Sequence, residues 1–210
     1  MFATWRLFLC GIAYNSKLVK TDEAPKSFAD LLDPKWAGKI VKAHPGYSGA
    51  IMTATQQIAR DLSWSYFEKL AKQKVMQVQS AGDPPRKLAL GERTVTVDAS
   101  EYLVTLLKEK GEPVEFVYAT EGTPLISAPA AIMKNPPNPN AARLFHNWSF
   151  TVEAQQLNVD VGALRSAHPQ VKERHDRKPL SEIKLMREDA AEVYRLADEI
   201  KTKYRRIFGV

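Results

Sequence analysis

The chain has 210 residues, of which 44% are hydrophobic and 26% charged, with no run near the ~18 apolar residues of a membrane span, so an ordinary soluble globular composition is expected. A formal charge of +6 with a pI near 9.3 invites a nucleic-acid partner. The basic residues are interleaved with acidic ones along helical segments and the aromatics form no basic stripe, so a solvated surface is expected and nucleic acid is not.

Residues 1–15, MFATWRLFLCGIAYN, admit more than one reading. An export signal needs a basic start, an unbroken apolar stretch and a small-residue cleavage site. Arg6 is the one basic residue here and it interrupts the apolar run; a lipoprotein signal would need a small residue before Cys10, where Leu9 stands. The preferred reading is an extended strand, carried by Phe2, Trp5, Leu7, Phe8, Leu9, Ile12 and Tyr14. Cys10, the single cysteine, then reads as a small buried hydrophobe, and it excludes an internal disulfide framework or a cysteine-rich zinc site.

From Ser27 the pattern alternates strands and helices. Ser27-Phe28-Ala29-Asp30 opens a short helix through Leu32 in the manner of a capping box. Lys39–Ala43 reads as a strand, His44–Tyr47 as a turn, and a helix follows from Ser48 or Gly49 toward Arg60. The order repeats with strand Val75–Val78, Asp83 as N-cap, Pro84 and Pro85 in the first turn, and helix through Leu90. It repeats again with strand Thr94–Val97, the stretch Asp98–Glu101, and a helix to Lys110 stopped by Gly111. Three such units predict α/β layers.

Val114–Tyr118 is a further strand, and an apolar stretch runs from Leu125 to Met133. Asn138 and Pro139 then start a helix through Phe145 and Trp148. Arg165–Lys178, with His168, Pro169 and His175, reads as a polar linker. The tail helix, Glu188 to about Ile207, aligns Val193, Leu196, Ala197, Ile200, Tyr204 and Ile207 along one side, which predicts docking on the body of the protein.

Ligands of parallel α/β sheets collect beyond the carboxyl ends of the strands, where helix N-termini present free N–H groups. The loops His44–Gly49, Gln79–Arg86 and Asp98–Tyr102 are therefore expected along one edge, with Tyr47, Ser48, Arg86, Lys87, Ser100, Glu101 and Tyr102 as candidates to hold an anion or a metal–anion complex. The plainer account is that Ser48 and Ser100 cap helices, Tyr47 packs on a neighbour and Arg86 is solvated. A hydrolase reading starts from Gly46-Tyr47-Ser48-Gly49-Ala50, one residue away from a nucleophile elbow, with Asp98 and His146, His168 or His175 following in hydrolase order. Ala50 breaks that motif, and the four histidines lack metal-binding spacing.

Several stretches carry a resemblance: GIAYN at 11–15, SFADLLDPKWAGK at 27–39, Gly91-Glu92, Glu121-Gly122-Thr123-Pro124, NPNAARLF at 138–145, Glu153-Ala154-Gln155 and the closing Phe208-Gly209-Val210. Together they resemble the extracellular solute-binding proteins of bacterial ABC importers, closest to the ferric-iron branch. The resemblance implies an α/β fold of the type II periplasmic-binding-protein kind, with one complete lobe and part of the second. It implies a crossover strand or hinge at 1–19, lobe two at 20–120, a returning segment of lobe one at 121–165, and at 166–210 a linker and a helix packing back on lobe two. On this reading residues 1–15 come from mid-protein, and most of lobe one, with a signal peptide before it, is absent from the chain.

The implied function is non-enzymatic: a solute bound in an interlobe cleft and delivered to an inner-membrane ABC permease, in the periplasm for a full-length member. The iron branch commonly uses two adjacent tyrosines where this sequence has Glu101-Tyr102, so one phenolate is replaced by a carboxylate. Glu101 and Tyr102 are the metal ligands if iron is carried; Arg86, Lys87 and the helix start at Ser48 suit a small anionic solute, which is ranked first. No cofactor is expected, ferric ion entering only as cargo. With one lobe incomplete, weak binding or none is expected; the rival interaction reading is a stand-alone interaction domain whose tail helix pairs with a partner or another copy, with self-association favoured by the surface the incomplete lobe leaves exposed.

Overall fold

The computed structural model describes residues 2–210 and divides into two compact units: unit 1 takes in the chain through Phe8 and Ser127–Glu182, and unit 2 Leu9–Ile126 and Ile183–Val210. Among the described residues no helix is long and apolar enough to cross a membrane.

The N-terminal stretch is the expected strand, β1 (Phe2–Asn15), whose second half belongs to unit 2. Asn15 ends it: Lys17 and Leu18 N–H donate to its Oδ1 at 2.9 and 3.2 Å, and its Nδ2 donates to the Leu88 carbonyl at 2.7 Å. The box at 27–30 forms reciprocally, Asp30 N–H donating to Ser27 Oγ and Ser27 N–H to the Asp30 carboxylate, both at 3.0 Å. It opens a 3₁₀ turn, Ala29–Leu32. The neighbouring N–H groups of Phe28 and Ala29 donate to the Glu121 carboxylate at 3.1 and 3.0 Å. Gly122 beside it holds φ +134°, and a Cβ there would stand 3.2 Å from Met186 Cγ. Two of the stretches that carry the family resemblance are thus one hydrogen-bonded feature, with glycine required by its backbone.

The strand–loop–helix units follow as β2 (Ile40–Ala43) and α1 (Gly49–Leu62), continued by α2 (Trp64–Ala71); β3 (Met76–Val78) and α3 (Asp83–Ala89); and β4 (Val95–Ser100) and α4 (Glu101–Glu109). Two details differ from expectation. Asp83 is the first helical residue and its carboxylate accepts from Ser80 N–H at 2.9 Å, tightening the turn ahead instead of capping the helix. β4 extends through Asp98, Ala99 and Ser100, because β1 continues to pair with it at Gly11↔Ala99 and Cys10↔Ser100.

Then come β5 (Val114–Val117) and β6 (Thr123–Ala131), which carries the chain from unit 2 into unit 1. α5 (Pro139–Ser149) and α6 (Val152–Asp160) lie in unit 1, and β7 (Leu185–Met186) and α7 (Ala190–Phe208) return to unit 2. The hydrogen-bonded order is β3-β2-β4-β1-β6-β7, with β5 also on β1. β2 runs parallel to both β3 and β4, and β1 antiparallel to both β4 and β5. The register between β1 and β4 slips between Gly11 and Ala13, so Val97 and Asp98 both stand opposite Ile12. Such a bulge re-aims a side chain, and Asp98 is one of the two residues at the bulge.

Both hydrophobic clusters lie within unit 2. One joins Ile40, Val95 and Val97 to Phe67, Leu70 and Ile58; the other joins Val41, Ala99 and Leu88 to Val104. Between β2 and β4 lies an ion pair, Lys42 Nζ to Asp98 Oδ2 at 2.8 Å, both side chains 1% exposed. Lys42 also donates to Thr55 Oγ1 of α1 at 3.2 Å and the Ala43 carbonyl at 3.1 Å, and stands 4.9 Å from the ring centroid of Tyr204 on α7. Tyr204 is fully buried and its hydroxyl donates to Gln77 of β3 at 2.7 Å, so the tail helix docks on unit 2 through the stripe read from its sequence.

Unit 1 departs further from the reading. Residues 165–178 are held in place: Arg165 is buried and donates to Glu173 at 3.2 Å and to the Lys178 carbonyl at 2.9 Å, and Arg177 donates to the Ala163 and Leu164 carbonyls. Leu7 and Arg165 exchange backbone hydrogen bonds at 2.8 and 2.9 Å, which places the segment with unit 1 and not with the tail helix. Polar composition misled here because the guanidinium groups satisfy carbonyls, not water.

Removing one partner of a buried pair strands the other charge, at a cost of about 3–5 kcal/mol. Lys42→Met is expected to lower the unfolding free energy by about that amount in urea titrations, and Lys42→Met with Asp98→Leu to recover most of the loss.

Candidate ligand-binding site

Because β2, β3 and β4 are parallel, their carboxyl ends share one edge of the sheet, and β5, antiparallel to β1 as β4 is, brings its own carboxyl end to the same edge. The loops after Ala43, Val78, Ser100 and Val117 therefore form a common rim in unit 2. The register Ile40↔Val95 and Val41↔Thr96 aligns the starts of α1 and α4 on it.

The first loop is built tightly. His44 N–H donates to the Val78 carbonyl at 2.8 Å and Gly46 N–H to His44 Nδ1 at 2.9 Å, so the imidazole carries its proton on Nε2. A Cβ at Gly46 would lie 2.9 Å from that ring. The His44 ring stands between Tyr47, centroids 5.2 Å apart, and Tyr204, 5.1 Å apart. Desolvation, with lesser repulsion from Arg205 and Lys42, holds its pKa below the ordinary histidine value. Tyr47 itself is 65% exposed. Ser48 caps α1, its Oγ accepting from Ile51 N–H at 3.4 Å, which leaves the earlier N–H groups of the helix toward the rim.

The second start is built differently. Ser100 occupies the N-cap of α4 without a side-chain cap bond, and its hydroxyl lies 3.9 Å from Cys10 Sγ. Burial, more than the nearby Asp98 charge, pushes the Cys10 thiol up to about 12. Glu101 follows on the first turn, 1% exposed, and Tyr118 Oη donates to its Oε1 at 2.5 Å. Tyr102 is half-buried beside it.

Arg86 is placed differently from Ser48 and Glu101. It is exposed on α3 and lines a groove of about 160 Å³ with Gly82, Leu103, Leu106 and Lys110, along the flank of α4. The cause is helical phase: Pro84, Pro85 and Leu88 are the buried side of α3, so position 86 faces outward. Lys87 is engaged by Glu92 at 2.7 Å. Tyr118, which reaches Glu101 at this rim, was not among the candidates, although it closes a segment read as a strand; extending the strand-end rule to β5 would have found it.

Asp98, needed for a Ser48 triad, accepts from Lys42 Nζ and from Ala43 N–H at 3.2 Å, and is buried by them. Among the described residues no group of three or more His, Cys, Asp or Glu side chains is placed to hold a metal ion.

The fold, an α/β unit with a strand-end rim that strands enter and leave, is that of the type II periplasmic binding proteins, shared with solved structures of that class. Residues 1–184 match the model of the bacterial extracellular solute-binding protein family, and the chain belongs to that family. The periplasmic binding protein AfuA from Actinobacillus pleuropneumoniae, solved with exogenous fructose-6-phosphate bound, is similar over 100% of this chain and 69% of its own, with TM-score 0.88 and 25% identity. Iron-bound HitA from Pseudomonas aeruginosa is similar over 98% of this chain and 69% of its own, with TM-score 0.79 and 22% identity. A protein of Haemophilus influenzae described as uncharacterized is 31% identical over 140 residues, 64% of this chain and 40% of that one. The chain thus matches well under two thirds of that relative's length.

His44 stays neutral in the fold more readily than in the unfolded chain, so its contribution is full above the ordinary histidine value of about 6.5 and is lost as pH falls below it through the folded value. The urea midpoint is expected to drop over that interval. In His44→Asn, whose Oδ1 can replace Nδ1 as acceptor for Gly46 N–H, the drop is expected to be smaller.

Proposed function

We propose that this chain is the solute-binding component of an ABC importer, or a part of it, that takes up a small anionic solute in the periplasm and presents it to a permease. The observation that carries the reading is the parallel register of β2 and β4, which sets the N-terminal N–H groups of α1 beside the start of α4 on one rim. Family membership and the fold shared with AfuA support the solute-binding role, and the sugar phosphate held by AfuA supports an anion.

An anion is ranked above a bare ferric ion for two physical reasons. The α1 start offers backbone donors and a positive dipole end, whereas Glu101, the hard oxygen ligand iron would need, is buried under Tyr118. Ferric ion is the second cargo reading, with Glu101 and Tyr102 as its ligands. An enzymatic role for Ser48 is set aside, since its hydroxyl caps α1 and Asp98 is engaged by Lys42.

Calorimetric titration with inorganic phosphate is expected to give affinity in the roughly millimolar range, weak because a single rim supplies the contacts. Ser48→Ala is expected to weaken it several-fold, with no ester hydrolysis by either protein. Tight ferric binding that Tyr102→Phe abolishes, with no response to phosphate, would overturn the anion reading; hydrolysis lost in Ser48→Ala would overturn the binding-protein reading.

A further inference from the structure

Glu101 places a carboxylate on the first turn of α4, where helix N–H groups attract negative charge, on the same rim that the anion reading requires to be open. A carboxylate facing that rim would repel an anion and favour a cation. In the fold it is covered: Glu101 is 1% exposed, and Tyr118 Oη donates to its Oε1 at 2.5 Å.

Tyr118 is well placed to hold it. The residue directly follows β5, whose pairing Val117↔Ile12 anchors it to β1, and its ring meets Phe116 edge-on at 5.2 Å. β1 stands between β4 and β5, so the phenol spans from one strand end to the helix that starts at the other.

We propose that Tyr118 is a positioning residue for ligand selectivity: through its hydrogen bond it keeps the Glu101 carboxylate covered at the rim, so the rim presents backbone donors to an anion and not an open carboxylate to a cation. The proposal rests on the reading of this edge as the ligand site. Without the phenol hydroxyl Oε1 loses that hydrogen bond while still buried, and turning toward water relieves the cost.

Two readouts on the full chain test it. Carbodiimide-driven amine labelling of Glu101, followed by mass spectrometry, is expected to be slow in the wild type and faster by roughly tenfold in Tyr118→Phe. Equal labelling would overturn the proposal alone. By calorimetry with inorganic phosphate, Tyr118→Phe is expected to weaken binding by roughly tenfold, and Glu101→Gln added to that variant to restore it toward wild type. A double variant as weak as Tyr118→Phe would mean that the phenol acts only as structure, which overturns the proposal. Absence of phosphate binding by the wild type would instead overturn the anion reading and the selectivity claim with it, whatever the labelling shows.

Discussion

Lys42 and Asp98 bury opposite charges 2.8 Å apart between two adjacent parallel strands, one and two residues respectively before each strand ends at the rim. The pair reaches past β2 and β4: Lys42 bonds Thr55 of α1 and lies against Tyr204 of α7, while Asp98 accepts from the Ala43 backbone and sits at the β4 bulge. Buried ion pairs contribute little net stability against an apolar alternative, because desolvation cancels the attraction. What this one supplies is position. A charge that cannot be left unpaired fixes the relative slide of β2 and β4, and with it the relative height of the α1 and α4 starts.

That constraint connects the packing to the ligand reading. His44, two residues beyond Lys42, lies between Tyr47 of its own loop and Tyr204 of the tail helix, so a helix at the far end of the sequence buttresses the first rim loop. The second rim element is buttressed by β1, whose Cys10 faces Ser100, and by β5, whose following residue holds Glu101. The two helix starts differ accordingly. The α1 start is open, capped by a serine hydroxyl and flanked by an exposed tyrosine, whereas α4 carries its own carboxylate, withdrawn under a phenol.

Most of unit 2 was legible because its signals are local. The β-favouring run at 2–15, the Ser27–Asp30 box, the cap of α1, the prolines of α3 and the stripe of α7 each specify an element without reference to distant residues. The shared rim was legible too, since strand–loop–helix units imply parallel strands. Position within the rim was not. Whether the Glu101 carboxylate lies open or under Tyr118 depends on where β5 ends relative to α4, and the exposure of Arg86 follows from a helical phase set by two buried prolines. The 165–178 segment escaped for a related reason: Arg165 and Arg177 find backbone carbonyls that only the folded unit supplies.

The central claim is that the amides at the start of α1 and those at the start of α4 belong to one site. Two-dimensional amide NMR during a titration with inorganic phosphate addresses it most directly, since every rim N–H reports separately. The account predicts that the amides of Gly49, Ala50 and Tyr102 shift along one shared binding curve while those of α7's outer face stay still. Shifts confined to one helix start, separate curves for the two starts, or no response at either would contradict it.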